Sequence, residues 1–293
     1  KRISGGRPRA VFVGGNPGQE RTTLGDSGVS LESEIDPNAD QRSMMNQQHL
    51  LLDIEGTTCP VTFVSEILFP FAERELSHFV TEHERDSSQN RSIQDARSEW
   101  QRDESAESLR LKKQLSERQI NEVEGLVQYL KHLISIDRKS TALKDLQGQI
   151  WENGYRKGEL KSKLFPETAE CLRQWHQQKI TLSVYSSGSV HAQKLLYRHS
   201  SSGNLEALFS HWFDTHTGPK KSSESYTIIA KELNSSPKNI WFVSDNGEEC
   251  NAAREAGMNT LFSLRDGNPD REPRDHRVIE SLHAVSAHLA AQK

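Results

Sequence analysis

Short apolar runs, each closed by polar turn residues, recur along the chain. Leu50, Leu51 and Leu52 stop at Asp53. Ile180 to Val184 leads into Tyr185-Ser186-Ser187-Gly188-Ser189, and Ile240 to Val243 into Ser244-Asp245-Asn246-Gly247. Asn259 to Leu264 ends in Arg265-Asp266-Gly267-Asn268-Pro269, and a shorter unit, Trp212-Phe213-Asp214, precedes Lys220 and Lys221. Runs of this kind suit strands buried on both faces of a parallel sheet. Helical spacing lies between them, with apolar residues at Ala169, Leu172 and Trp175 of Thr168–Gln178 and further helices over His191–Tyr197 and Ser223–Leu233. Strands alternating with helices predict an α/β fold with a doubly wound, Rossmann-type parallel sheet.

One long stretch breaks the alternation. From about Ala72 to Leu160 no strand pattern is found. Leu76, Phe79 and Val80 mark one helix, and Leu109, Leu111 and Leu115 a second. Ile120, Val123, Leu126, Val127, Leu130, Leu133 and Ile134 give the i, i+3, i+4, i+7 spacing of a third, and Thr141–Trp151 forms a fourth. The expected organisation is therefore a sheet core, residues 49–71 and 161–293, interrupted by a helical cap over residues 72–160. Residues 1–48 are polar, with Gly14-Gly15 and Asn16-Pro17-Gly18 turns and one short apolar run, Ala10–Val13. They read as a disordered N-terminal segment.

Composition fits this division. Hydrophobic residues make up only 33% of the 293 and charged residues 27%, and the mean hydropathy is -0.75. The deficit collects before His49 and in the charged stretch Asp86–Ser108. Lys and Arg number 37 against 41 Asp and Glu, a net charge of -4. That balance offers no attraction to nucleic acid or to an anionic membrane. No run reaches the roughly 18 apolar residues of a membrane-spanning helix, and no apolar segment follows the basic start to make a secretory signal. Cys59, Cys171 and Cys250 are odd in number and far apart, so neither a disulfide framework nor a zinc knuckle is expected. A cytoplasmic location follows, and no long heptad pattern suggests anything but a monomer.

In open α/β sheets the ligand crevice lies at the carboxyl ends of the strands. Asp53 and Glu55, Ser186 and Ser187, Lys220, and Asp245 should therefore converge. Carboxylates gathered there stay ionised most readily around a hard divalent cation such as magnesium. The Ser-Ser-Gly-Ser turn before a helix offers hydroxyls and backbone N–H groups to an anion. A lysine would neutralise a phosphoryl oxygen, and Asp53 could attack phosphorus to form an aspartyl-phosphate. Taken singly, each element also has an ordinary structural reading: a helix N-cap for the serines, a turn for Asp245-Asn246-Gly247, solvated charges for the lysine pair.

The order of these residues resembles the haloacid-dehalogenase superfamily, with Asp53-Ile54-Glu55-Gly56-Thr57-Thr58 as its first motif, Ser186 or Ser187 as its second, Lys220 as its third and Asp245 as its fourth. Longer segments narrow the likeness. Leu51–Ala72 (LLDIEGTTCPVTFVSEILFPFA), Asp137–Trp151 (DRKSTALKDLQGQIW), Val184–Tyr197 (VYSSGSVHAQKLLY) and Ser223–Tyr226 (SESY) resemble the enolase-phosphatase (acireductone synthase) family of methionine salvage. The resemblance spans roughly His49 to Asn268. It implies a bifunctional enzyme with one magnesium ion per subunit, acting on a small phosphorylated diketone, 2,3-diketo-5-methylthiopentyl-1-phosphate. Enolisation would come first and loss of phosphate second, giving 1,2-dihydroxy-3-keto-5-methylthiopentene. By motif, Asp53 would be nucleophile and metal ligand, Glu55 a general acid/base at the metal site, and Asp245 the further metal carboxylate. Ser186, Ser187 and Lys220 would bind substrate. Glu248 and Glu249 are nearby acids, of which Glu249 better matches the family's position. The alternatives are a phosphatase of the same superfamily for another small phosphate ester and a non-catalytic binding module on the same fold.

Overall fold

The computed structural model describes residues 47–84, 90–136 and 138–291. The expected disorder over residues 1–48 and the short run Ala10–Val13 thus fall, but for Gln47 and Gln48, outside the described residues. Six strands form one sheet: β1 (His49–Leu52), β2 (Thr181–Tyr185), β3 (His211–Phe213), β4 (Ile240–Ser244), β5 (Asn259–Ser263) and β6 (Arg277–Ile279). Their order is β3-β2-β1-β4-β5-β6, and every neighbouring pair is parallel. The doubly wound α/β fold read from the alternation is the one observed. Five strands coincide with the apolar runs to within a residue or two. β6 was not foreseen, because an edge strand of three residues, two of them exposed, carries no apolar run.

β1 is buried at every position and pairs with β2 on one side and β4 on the other. The chain order therefore reverses at β1, the switch point where α/β sheets open a crevice. Leu52 stands level with Val184 of β2 and Val243 of β4. The residues that follow each strand thus emerge side by side at one edge of the sheet. One apolar cluster, including Leu50, Leu52, Val184 and Val243, runs on into the helices between β1 and β2. The other, with Leu51, Tyr185, Phe213, Tyr226 and Phe242, lies on the opposite face.

The polypeptide between β1 and β2 is helical. A turn at Val61–Phe63 and a π-helical stretch, Val64–Leu68, lead into α1 (Phe69–Glu84). α2 (Arg91–Arg102), α3 (Ala106–Ser116), α4 (Glu122–Ser135), α5 (Thr141–Lys157) and α6 (Thr168–Gln177) follow. α2 lies inside the stretch read only as charged. It forms because Ile93, Ala96 and Trp100, three and four residues apart, make one buried stripe among the charges. Trp100 stacks on Tyr129 of α4 at 5.9 Å between ring centroids. A side chain at Gly125 would meet that indole at 2.5 Å, so glycine there permits the close helix approach. α7 (Val190–Arg198), α8 (Ser223–Glu232), α9 (Gly247–Glu255) and α10 (Val285–Ala290) cover the rest of the sheet. Among the described residues no helix is long and apolar enough to cross a membrane.

Candidate active site

Asp53 leaves β1 directly at the switch point, and its N–H donates to the Val243 carbonyl at 2.9 Å, extending the ladder by one residue. The chain then turns sharply. The N–H groups of Thr57, Thr58 and Cys59 converge on the Ile54 carbonyl, the last two at 2.9 Å. Gly56 takes a φ of +66°, in the left-handed region that glycine enters without cost. A Cβ there would lie 2.2 Å from Asp245 Oδ2 and 2.7 Å from Asn268 Oδ1. Ser263 and Asn268 donate to the Gly56 carbonyl at 2.9 and 3.0 Å. The bare glycine thus lets the loops after β1, β4 and β5 close on one another.

The Asp53 carboxylate is buried, with its oxygens in different settings. Oδ1 accepts the Ile54 N–H at 2.7 Å. Oδ2 lies 2.7 Å from Lys220 Nζ and 3.0 Å from Ser244 Oγ. Lys220 also stands 2.6 Å from Glu249 Oε2, and Ser244 Oγ is 2.9 Å from the same oxygen. Glu249 is carried by α9, whose N-terminus is capped by Asn246 accepting from the Glu248 and Glu249 N–H groups. Lys220 is fixed at its backbone by the Tyr226 hydroxyl, which donates to its carbonyl at 2.7 Å, and its ammonium lies 5.9 Å from the Tyr185 ring centre.

Electrostatics sets these groups apart. Burial alone would lower the Lys220 pKa, but the Asp53 and Glu249 charges and hydrogen bonds outweigh it and hold the ammonium well above the ordinary lysine value. Glu249 is raised by burial and then by Asp53. Asp245, 8% exposed, is pushed up to about 8 by burial and then by Asp53. Glu55 is exposed in area, yet the crevice walls strip much of its surrounding water. That desolvation, followed by the Asp53 charge, raises its carboxyl too.

Ser186 and Ser187 leave β2 beside this cluster. Ser186 is buried and its N–H donates to the Phe213 carbonyl at 3.2 Å. Ser187 is exposed. The turn is braced from inside by Gln193, whose amide donates to the Gly188 and Phe213 carbonyls, both at 2.8 Å. Asp214, next after β3, accepts the His216 N–H at 2.9 Å and the Val190 N–H at 3.2 Å. Burial would raise its pKa, but these bonds hold it below the usual range.

The structure therefore joins Asp53 and Lys220 in direct contact and sets Asp245 and Glu55 within the field of Asp53. Ser186 and Ser187 stand on the adjoining strand end, bonded to neither Asp53 nor Lys220. Sequence reasoning did not single out Ser244, Gln193 or Asn268. Ser244 could have been noticed as the polar residue ending an apolar run next to Asp245. Nothing local marks Gln193 or Asn268.

The donor set suits a hard cation. Among the described residues no group of three or more His, Cys, Asp or Glu side chains forms a ready-made metal cage. Magnesium, however, needs only one or two carboxylates and keeps several waters. Asp245 supplies a buried carboxylate that accepts no hydrogen bond from the described residues, while the acids around it raise its pKa. Such an acceptor-only group is completed by a cation.

Residues 48–257 match the haloacid dehalogenase-like hydrolase family. A protein of Synechococcus sp. (strain CC9605), named Enolase-phosphatase E1, is 72% identical over 249 residues, which cover 85% of this chain and 100% of that one. A protein of the same name from Thioalkalivibrio sulfidiphilus is 43% identical over 219 residues, 75% of this chain and 90% of its own. Among solved structures, the UTR4 protein of Saccharomyces cerevisiae superposes with a TM-score of 0.62 at 30% identity, covering 80% of this chain and 98% of that one.

Proposed function

We propose, for a chain that belongs to the haloacid dehalogenase-like hydrolases and within them to the enolase-phosphatase E1 family of methionine salvage, a specific division of labour at the β1 edge. The substrate is a small phosphorylated diketone, 2,3-diketo-5-methylthiopentyl-1-phosphate. It is enolised and then dephosphorylated to 1,2-dihydroxy-3-keto-5-methylthiopentene. The observation that carries the reading is the buried contact of Asp53 with Lys220 at the switch point, 2.7 Å from Oδ2 to Nζ. A nucleophile and the cation that neutralises a phosphoryl oxygen are already side by side there.

In this reading an Asp53 carboxylate oxygen attacks phosphorus and the ester P–O bond breaks, forming an aspartyl-phosphate. Glu55, its carboxyl raised by burial and then by the Asp53 charge, protonates the departing oxygen. It then takes a proton from the water that cleaves the acyl phosphate, so Asp53 is restored and inorganic phosphate leaves. Lys220 follows the charge onto the phosphoryl group, while Ser244 and Glu249 keep its ammonium near Asp53. Ser186 and Ser187 hold the phosphate end of the substrate. Asp53, Asp245 and Glu55 would hold one magnesium ion, which supplies electrostatic stabilisation of the phosphoryl charge. Residues 49–71 and 161–293 act as the phosphatase core and residues 72–160 as its cap, in a cytoplasmic monomer whose partner is this small substrate rather than nucleic acid or membrane.

The test is direct. Purified protein with magnesium and the diketo-phosphate should release phosphate and show a transient enol absorbance. Asp53→Asn should abolish phosphate release. Normal release by that variant would remove the nucleophile assignment, and phosphate without any enol signal would assign a plain phosphatase.

A further inference from the structure

One lysine outside the catalytic cluster reaches the same edge of the sheet from the cap. Lys144 lies in the first turn of α5 and donates to the Ser187 carbonyl at 3.1 Å, with Thr215 Oγ1 at 3.5 Å. It thus touches the loops that follow both β2 and β3. Its position is set by the docking of α5 on the core. Glu152 Oε2 lies 3.1 Å from His191 Nε2, and the Tyr155 ring stacks on His199 with centroids 5.0 Å apart. Gly148 faces the His191 ring, where a Cβ would sit 3.8 Å from it, an ordinary packing distance.

The hydrogen bonds of the Ser186-Ser187-Gly188 turn show what Lys144 does. Gln193 takes the Gly188 carbonyl from the core side at 2.8 Å, and the Ser186 carbonyl lies 3.5 Å from the same amide nitrogen. Among the described residues, the Ser187 carbonyl has Lys144 as its one partner. The Gly188 N–H is spent on Ser186 Oγ at 3.3 Å. The N–H groups of Ser187 and Ser189 donate to nothing among the described residues. The carbonyls of Ser187 and Gly188 are thus each held by a donor, while two N–H groups and the exposed Ser187 hydroxyl remain open at the start of α7. That is the polarity an anion requires.

We propose that Lys144 is a positioning residue for phosphate: from the cap, it holds the Ser187 carbonyl so that the turn presents donors rather than an oxygen to the substrate. The inference rests on the reading of Ser186 and Ser187 as the substrate turn. Gly188 follows the held carbonyl and tolerates backbone conformations that other residues resist, and the far end of the Ser187–Gly188 peptide is tied only by the Gly188 N–H bond to Ser186 Oγ at 3.3 Å. Without Lys144 the carbonyl of that peptide loses its one partner among the described residues and can turn its dipole against the phosphate.

The experiment compares Lys144→Ala, Lys144→Gln and a Ser187→Ala control, with KM, kcat, inhibition by inorganic phosphate and thermal midpoint measured for each. Lys144→Ala should raise KM and weaken phosphate inhibition roughly tenfold, the scale of one hydrogen bond to a charged group, with kcat and the midpoint little changed. Lys144→Gln, which still donates to a carbonyl, should recover most of the loss. A lysine that acted by charge on the substrate itself would leave Gln as impaired as Ala, and that result overturns the positioning role. Weakened phosphate binding in Ser187→Ala but not in Lys144→Ala overturns this inference alone. Unchanged binding in both overturns the substrate-turn reading with it.

Discussion

The Lys220 ammonium lies 2.7 Å from Asp53 Oδ2, with both residues buried at the carboxyl edge of the sheet. The same ammonium is 2.6 Å from Glu249 Oε2, so one cation balances two carboxylates. Lys220→Met leaves those acids together without a counter-charge. Breaking a buried pair from one side costs roughly 3–5 kcal/mol. The loss should be largest above neutral pH and smaller near pH 5, because Glu249 and Asp245, both raised, take up protons as the pH falls. Urea unfolding of wild type and variant at pH 8 and pH 5 checks this. An equal loss at both would show that charge is not its origin. Phosphate release should disappear in the variant at either pH.

Removing magnesium should stop the reaction without unfolding the protein. A chelator should abolish phosphate release, and added magnesium should restore it. A ligand bound only by the folded state stabilises by about 2.7 kcal/mol at a hundred times its Kd. Saturating magnesium should therefore raise the thermal midpoint of the wild type. Asp245→Asn should keep its fold but lose most of that rise, since its carboxylate has no hydrogen-bond donor among the described residues to satisfy it otherwise. An undiminished rise in the variant would place the cation elsewhere.

Gly56→Ala tests the loop closure. A φ of +66° costs an L-residue about 1–2 kcal/mol. The new Cβ would also fall 2.2 Å from Asp245 Oδ2 and displace it. The variant should be at least about 2 kcal/mol less stable and should lose phosphate release more severely than stability. Midpoint and turnover measured on the same sample check both. Full activity at reduced stability would mean that Asp245 can move without harm.

Much of the site is legible because its residues end strands. Asp53 and Asp245 stand directly after buried apolar runs, and a run that stops at a carboxylate in a parallel sheet points at the crevice. Strand periodicity places the Lys220-Lys221 pair after the third strand unit, and apart from the motif resemblance it is the fold that separates the two. The first is buried against Asp53, whereas the second is exposed and pairs with Glu248. Glu249 needs a helix to carry it back over the strand end, and that helix starts in residues that read as a turn. Gln193 and Lys144 act on the Ser187 turn from a core helix and a cap helix, a relation that strand and helix periodicity does not encode. α2 was hidden because three buried residues held together a segment whose composition is that of a solvated surface.

His49 begins the central strand and gives the fold a pH dependence separate from the active site. It is 5% exposed, and its Nδ1 has no hydrogen-bond partner among the described residues. Burial, and then the His211 charge, lower its pKa from 6.5 to about 4. The native state therefore keeps the ring neutral where the unfolded chain binds a proton. Between pH 6.5 and 4 the unfolded state holds more protons, so stability rises with pH across that window and is complete above it. Falling from pH 7.5 to pH 4 should cost on the order of 3 kcal/mol from this residue alone. His49→Gln, which cannot titrate, should flatten the urea-derived stability profile in that interval. A profile as steep as the wild type's would assign the acid sensitivity to other groups, and Glu55, Asp245 and Glu249, whose raised pKa values act with the opposite sign, are not among them.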